Sequence, residues 1–179
     1  MIKHHAIADE MIAKPSAAYL SKSTTILFAT DLSSECGFAL NWTGSLARTL
    51  DARLLIVHVE QPSVPYGGGE IYTDHFFDYH SKILLTMLDR IWPTDPRVPY
   101  CHCLACGDPA SEILRIASEE KVHMIVMSTH GRRGLPRVLL GSVAESIIRR
   151  AECPVLIFKS PKQDLPRSNA PQGRTTAVR

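Results

Sequence analysis

MIVMSTHGRRGLPRVLLGSVAESIIRRAECPVLIF, residues Met124–Phe158, shows how strand and helix alternate in this chain. It opens with the apolar run Met124–Met127, which is typical of a strand buried on both faces. A loop rich in glycine and arginine follows, and Gly141-Ser142 leads into apolar residues at helical spacing. Cys153-Pro154 ends that helix, and Val155–Phe158 indicates a second buried strand. The segment is therefore predicted to form a strand, a loop, a helix and a strand.

The loop before this helix has the chemistry of an anion site. Backbone N–H groups at a helix N-terminus have no partner within the helix, and the helix dipole adds positive potential there. Gly131 and Gly134 let the backbone approach a phosphate, and three arginines add positive charge: Arg132, Arg133 and Arg137. Ser142–Glu145 fits a capping box, which predicts that the helix begins at Ser142. Ordinary turn glycines with a capping serine are, however, the commoner explanation of such a loop.

Length, composition and charge limit the classes of protein to which this chain can belong. The chain has 179 residues, of which 45% are hydrophobic and 21% charged, as expected of one globular domain with short tails. Its net charge of +2 gives no indication of nucleic-acid binding. No apolar run approaches membrane-spanning length, and the first residues lack the apolar core of a signal peptide. Five cysteines without an export signal indicate reduced thiols. We expect a cytoplasmic protein that binds neither nucleic acid nor membrane.

The rest of the chain continues the alternation of strand and helix. Three further apolar runs predict strands: Thr25–Thr30, Leu54–Val59 and Val98–Cys106. Helical spacing separates the strands, so the order is five strands alternating with four helices, an α/β fold with an open parallel sheet and helices on both faces. We expect this single domain to span residues 24–159. Residues 1–23 would form an N-terminal extension, and the polar, proline-rich residues 160–179 a disordered tail.

Ligands in open parallel sheets bind beyond the carboxyl ends of the strands, where the winding reverses. Three segments end there: Thr30-Asp31 after the first strand, Val59 in the second, and the turn from Met127 to Gly131 after the fourth. They can meet at one crevice. From the residues alone, Asp31 is more simply a turn or cap residue.

Two other features suggest chemistry that their surroundings do not support. His58 lies inside an apolar strand, where a hydrogen-bonded core histidine is the usual explanation. Cys101, Cys103 and Cys106 with His102 resemble a zinc ligand set, but alternation along a strand places Cys101 and Cys103 on one face and the other two on the opposite face. We therefore interpret these cysteines as small buried hydrophobes.

A family resemblance covers about Thr24 to Lys159. Ser128-Thr129-His130-Gly131, nine residues and then Gly141-Ser142 resembles the nucleotide loop of the universal stress protein family, Gly-x-x-Gly, nine residues, Gly-Ser/Thr. The first strand followed by Thr30-Asp31 also resembles the start of that family. The chain departs from the pattern at Ser128, where the family has glycine, and at Ala29, where the family often has proline. The resemblance implies a Rossmann-like sheet with strand order 3-2-1-4-5.

The resemblance also implies a site for ATP or a related adenine nucleotide. Asp31 would lie near the ribose, the phosphates and a divalent ion, Mg²⁺ or Mn²⁺. The backbone of Val59 would meet the adenine, and backbone groups around the glycines of the loop would meet the phosphates. The implied nucleotide-binding residues are Ala29, Thr30, Asp31, Val59, Met127, Ser128, His130, Gly131, Arg132, Gly141, Ser142 and Val143, with Asp31 as the metal ligand.

The function that the resemblance implies is a regulatory or signalling module of the stress response, which forms a homodimer through antiparallel pairing of Val155–Phe158. No nucleophile, base and orienting group occur together in the sequence, and His130 is the nearest candidate base. We therefore expect a binding protein with at most weak ATPase activity. Two alternatives stay open: a slow ATP-hydrolysing or adenylating enzyme on the same fold, and a dimeric regulator that has lost nucleotide affinity through Ser128.

Overall fold

The computed structural model describes residues 16–33, 36–61, 74–128 and 141–159, with the backbone alone for 74–79. The predicted tail 160–179 and most of the predicted N-terminal extension lie outside this part. The elements are α1 Ala17–Leu20, β1 Thr25–Ala29, α2 Cys36–Thr49, β2 Arg53–Glu60, α3 Asp74–Leu88, β3 Tyr100–Cys106, α4 Pro109–Glu119, β4 Met124–Ser128, α5 Ser142–Arg150 and β5 Val155–Phe158.

The five strands form one parallel sheet in the order β3-β2-β1-β4-β5. Ala29 at the end of β1 lies between Val57 of β2 and Met127 of β4. The winding of the chain reverses between β1 and β4, because the chain moves outward to β3 first and then returns to β4. The predicted fold class and strand order are confirmed.

Each face of the sheet is covered by its own pair of helices. Leu27 and Ile125 belong to the core under α4 and α5, whereas Phe28 and Val126 belong to the core under α2 and α3. All five residues of β1 are buried, as expected of a central strand covered on both faces. β5 differs, since all four of its residues are only partly buried. The edge of the sheet at β5 is therefore the less protected one.

The short helix α1 ties the N-terminal segment to the amino end of the sheet. Ser16 caps it by accepting a hydrogen bond from Tyr19 N at 3.2 Å. The Tyr19 ring is 4% exposed, and the Arg53 guanidinium lies 4.4 Å from its centre. Burial raises the pKa of the Tyr19 phenol, and the Arg53 charge opposes that change. Tyr19 lies in the predicted extension, yet it packs into the core below α4.

The start of α5 differs in detail from the capping-box prediction. The helix begins at Ser142 as predicted, but its N-cap is Gly141, and no side chain caps it. Glu145 N donates to Gly141 O at 2.9 Å, while the Glu145 carboxylate accepts from Arg149 Nη2 at 2.8 Å. The capping box is therefore wrong, because the extended backbone of Gly141 takes the cap position. Ser142 becomes the first helical residue.

The cysteines of β3 are separated as their alternation predicts. Cys101 and Cys103 are buried in the core under α4 and α5. His102 points to the opposite face, where its Nε2 donates to Ile91 O at 2.7 Å. Burial raises the pKa of Cys103 to about 11, as expected of a thiol that packs as a small buried hydrophobe.

Candidate functional site

The chain leaves β1 through a turn that is held from two sides. Thr30 N donates to Val57 O at 2.9 Å, and His58 Nδ1 donates to Thr30 O at 2.8 Å. The carbonyl oxygen can only accept, so Nδ1 carries the proton of His58. Thr30 Oγ1 accepts from Leu32 N at 3.1 Å, and Leu32 has a φ of 61°. The prediction that His58 is a hydrogen-bonded core residue is confirmed, and its partner is the backbone at the site.

Asp31 follows in this turn, and its carboxylate is held firmly. Three donors converge on Oδ1: Ser33 N at 3.0 Å, Ser33 Oγ at 2.6 Å and Cys36 Sγ at 2.9 Å. Burial raises the pKa of this carboxyl, but the hydrogen bonds from Cys36 and Ser33 outweigh burial, and the net pKa lies below its usual value. Asp31 is therefore a fixed, ionised carboxylate at neutral pH.

Cys36 connects the turn after β1 to the end of β4. It is the first residue of α2 and is 3% exposed. Its Sγ lies 2.9 Å from Asp31 Oδ1 and 4.0 Å from Ser128 Oγ. Burial raises the pKa of the Cys36 thiol, and the hydrogen bond to Asp31 raises it further, so the thiol stays protonated and can donate. In the sequence, Cys36 fits the apolar spacing of a helix, and nothing in that pattern predicts its contact with Asp31.

The register of the sheet brings several predicted residues to one end. Ala29 pairs with Met127, which places Thr30 and Asp31 beside Ser128. Val59 lies two residues beyond the last β1–β2 pair, Ala29 with Val57, and so extends past the end of β1. Ala29, Thr30, Asp31, Val59, Met127 and Ser128 thus lie at the carboxyl ends of β1, β2 and β4.

The N-terminus of α5 lies at the same end of the sheet. α5 ends just before β5, whose first residue, Val155, pairs with Ile125 near the start of β4. The helix therefore runs antiparallel to the strands, so its N-terminus, with Gly141, Ser142 and Val143, lies at the carboxyl end of the sheet. Gly141 and Ser142 are exposed and Val143 is half-buried. The remaining predicted residues, His130, Gly131 and Arg132, lie outside the described residues.

A metal ion at this site would depend on more than protein ligands. Within the part of the chain that the structure describes, no three His, Cys, Asp or Glu side chains are grouped to hold a metal ion. Mg²⁺ characteristically binds through one or two carboxylates together with phosphate oxygens and water. An ionised Asp31 supplies one carboxylate of the kind that this mode requires.

Comparison with known proteins identifies the family. The profile described as "Universal stress protein family" matches residues 22–75 and 99–159, which together exceed half of the chain. The chain belongs to the universal stress protein family. A putative universal stress protein of Staphylococcus aureus (strain USA300) is 33% identical over 158 residues, 86% of this chain and 93% of the relative. A universal stress protein of Methanocaldococcus jannaschii is 53% identical over 58 residues, 32% of this chain and about a third (34%) of the relative's length.

Several solved structures share the fold. The protein MJ0577, described as a hypothetical protein whose biochemical function was assigned from its structure, is 27% identical with a TM-score of 0.60, covering 77% of this chain and 96% of that chain. A universal stress protein in complex with cAMP is 22% identical with a TM-score of 0.53, and the match covers 79% of this chain and 100% of that one. The universal stress protein from Archaeoglobus fulgidus in complex with dAMP is 21% identical with a TM-score of 0.51, and the match covers 75% of this chain and 96% of that one. At these low identities, the last two show a common fold only.

Among the residues with described structure, no helix is long and apolar enough to cross a membrane.

Proposed function

We propose that this universal stress protein binds an adenine nucleotide, with ATP as the principal candidate, and acts as a nucleotide-dependent regulatory module. The observation that carries the proposal is the fixed, ionised Asp31 at the point where the winding reverses between β1 and β4. Two relatives of the same fold are described as complexes with cAMP and with dAMP, which supports an adenine nucleotide as the ligand class.

Each predicted residue has a role in this proposal. The turn Ala29–Asp31 forms the wall of the crevice, and the backbone of Val59 faces the adenine. The N–H groups of Gly141, Ser142 and Val143 bind phosphate at the start of α5, which has nine residues and its positive dipole end at the crevice. His130, Gly131 and Arg132 complete the phosphate contacts from the preceding loop, beside Met127 and Ser128.

The charge of Asp31 makes binding depend on a divalent cation. An ionised carboxylate repels phosphate, and the three donors on Oδ1 keep it in place. A Mg²⁺ or Mn²⁺ ion between Asp31 and the phosphates removes that repulsion. ATP should therefore bind more tightly with Mg²⁺ than without it, and Asp31→Asn should reduce the difference.

The test is calorimetric titration of nucleotide-free protein with ATP, with and without Mg²⁺. Gly141→Val should abolish binding, because the added β-branched side chain obstructs the phosphate approach, while the circular dichroism spectrum stays unchanged. Ile148→Val is the matched control, because Ile148 is an exposed residue of the same helix that lies more than one turn from the proposed phosphate contacts. Undiminished affinity of Gly141→Val would overturn the phosphate-loop assignment.

Two results would favour the alternatives. Steady multiple turnover of ATP that is lost in His130→Ala would indicate a slow ATP-hydrolysing or adenylating enzyme. Absence of binding by the wild type, restored in Ser128→Gly, would indicate a regulator that has lost nucleotide affinity. The side chain of Ser128 lies beside Cys36 on the α2 side, which favours tolerance of this serine.

We further propose that the protein is a homodimer through antiparallel pairing of Val155–Phe158. β5 is an edge strand of four partly buried residues, and self-pairing satisfies its outer backbone groups. Sedimentation equilibrium measures this directly, and a monomer at micromolar concentration would contradict it.

A further inference from the structure

The outer face of α2 has the composition of an interface. Phe38 is 43% exposed and Trp42, one turn later, is 56% exposed. Of the exposed residues of α2, only Arg48 in the last turn is charged. Exposed aromatic residues combined with a lack of charge distinguish the centre of protein interfaces from ordinary surface.

The helices on the opposite face of the sheet lack this feature. In α4, Arg115 pairs with Glu112 at 2.9 Å and with Glu119 at 2.5 Å. In α5, Arg149 pairs with Glu145 at 2.8 Å. These outer faces carry ion pairs and, apart from Ile148, no exposed large apolar side chain, whereas α2 exposes two aromatic rings.

The aromatic face of α2 is continuous with the edge strand. The rings of Phe38 and Phe158 meet edge to face, with centroids 6.2 Å apart and an interplanar angle of 84°. Leu156 and Phe158 belong to the α2 side of the sheet and are only partly buried. α2 packs over β4, β1 and β2, and within the described ranges no helix lies over β5 on this side. We call Phe38, Trp42, Leu156 and Phe158 the β5–α2 patch.

We propose that the β5–α2 patch is covered by the same patch of a second copy of this chain, so that Phe38 and Trp42 of both copies close the dimer. This inference rests on the proposed pairing of β5. It adds α2, which the strand pairing alone does not involve, to the dimer interface.

Strand spacing shows why such a dimer needs these side chains. Neighbouring strands lie ~4.8 Å apart, so two copies joined at β5 place their α2 axes about four to five spacings, or ~19–24 Å, apart. Packed helices lie ~8–10 Å apart. A groove about as wide as one more helix therefore remains above the paired strands, with Leu156 and Phe158 as its floor. Large side chains reaching in from both α2 helices can fill it.

The position of Trp42 along the groove agrees with two-fold symmetry. Phe38 lies level with Phe158, and Trp42 is four residues further along α2, which is ~6 Å toward the middle of the strand. In a symmetric antiparallel pair the two-fold axis passes through the middle of β5, between Leu156 and Ile157. The two Trp42 side chains would then face each other across the axis.

The area of the strand pairing alone is also small for a stable dimer. Specific interfaces bury roughly 1,200–2,000 Å² in total, whereas β5 offers four residues. Because an aromatic side chain can bury roughly 150–250 Å², four half-exposed aromatic rings add about 400 Å². The tail 160–179 is a poorer occupant, since its only large aliphatic residues are Leu165 and Val178.

The test uses the two tryptophans of the chain, Trp42 and Trp92. Trp92→Phe leaves Trp42 as the reporter. Trp42→Phe leaves the exposed Trp92 as the control, measured at concentrations where sedimentation shows that this variant is dimeric. Across a dilution series followed by sedimentation, emission of Trp42 should shift to the blue and acrylamide quenching should fall several-fold as dimer forms. Trp92 should show neither change.

Charge substitutions give the matching measurement of affinity. Trp42→Glu and Phe38→Glu should raise the dimer dissociation constant at least 30-fold. Ile83→Glu on α3, also at an exposed apolar residue (41%), should change it less than twofold. A dimer of unchanged affinity in both patch variants would overturn the inference while leaving β5 pairing intact.

Two further results would overturn the proposal that a second copy covers the β5–α2 patch. A wild-type monomer at all concentrations would refute both the pairing and the inference, whereas nucleotide binding would be tested separately by titration. If Trp42 is shielded in the monomer and becomes exposed when the chain is ended at Lys159, the tail occupies the patch instead.

Discussion

Replacing Asp31 by asparagine separates the charge of this side chain from its hydrogen bonds. Asparagine keeps an oxygen that can accept from Ser33 and Cys36, but that oxygen is neutral. A hydrogen bond to a charged group contributes ~1.5–3 kcal/mol and a neutral one ~0.5–1.5 kcal/mol. With three bonds on Oδ1 in a half-buried turn, we expect Asp31→Asn to lower the free energy of unfolding by about 1–2 kcal/mol at pH 7.

The pH dependence of this loss has a defined sign. The pKa of Asp31 is lowered in the folded protein, so its charge stabilises the fold above the unfolded pKa of about 3.9, and that stabilisation disappears as pH falls through the folded value. The stability difference between wild type and Asp31→Asn should therefore shrink as the pH is lowered below ~4.

Urea denaturation at pH 7, 5, 4 and 3, followed by circular dichroism, measures the difference. Asp51→Asn is the control: Asp51 is an exposed residue with a φ of 51°, which asparagine adopts readily, and its ion pair with Lys22 is at the surface. Its effect should stay within about 0.5 kcal/mol. A loss for Asp31→Asn that is the same at pH 3 as at pH 7 would refute the view that the donors stabilise a charged Asp31.

Four further substitutions test the local structure, each by thermal or urea unfolding. Asp108 caps α4 by accepting from Ser111 N at 2.9 Å, so Asp108→Ala should cost about 1 kcal/mol, while Ser142→Ala should cost less than about 0.5 kcal/mol because no side chain caps α5. An equal cost at both positions would contradict the assignment of the caps. Gly107→Ala should cost about 1–3 kcal/mol, because φ is 151° there and an added Cβ would lie 3.0 Å from Glu112 Cγ; a neutral result would mean that the turn relaxes. Phe28→Ala removes a fully buried ring and should cost about 3–5 kcal/mol, and a loss below 1 kcal/mol would show that the core collapses around it.

The architecture was largely predictable, because its signal is repeated along the chain. Every strand is an apolar run, and the central strand β1 is buried at all five residues, so composition alone indicated strands covered on both faces. The order of the strands came from the family resemblance, since apolar runs do not specify which neighbours pair. The register then followed from the fold, and it placed Thr30-Asp31 beside Ser128.

The details of the site depended on three-dimensional geometry that sequence patterns, such as apolar spacing or a capping box, do not specify. Cys36 fits the apolar stripe of α2, and nothing in that spacing shows that its thiol reaches Asp31. The pattern of Ser142 and Glu145 matches a capping box, but the extended backbone that enters the helix makes Gly141 the cap. Tyr19 is a single aromatic residue in a polar segment, which has no periodicity to indicate burial. His130, Gly131 and Arg132 stay predictions from the family resemblance.

The anchorage of α1 has a practical consequence for experiments on this protein. Tyr19 is held by Arg53, the first residue of β2, whereas Val59 and Glu60 lie at the other end of the same strand. Seven residues of extended strand separate Arg53 from Glu60, or ~23 Å. A fluorophore or surface tether attached at Ser16 would therefore sit at the opposite end of the sheet from the crevice. Immobilisation through that position should leave the crevice accessible to ligands in solution.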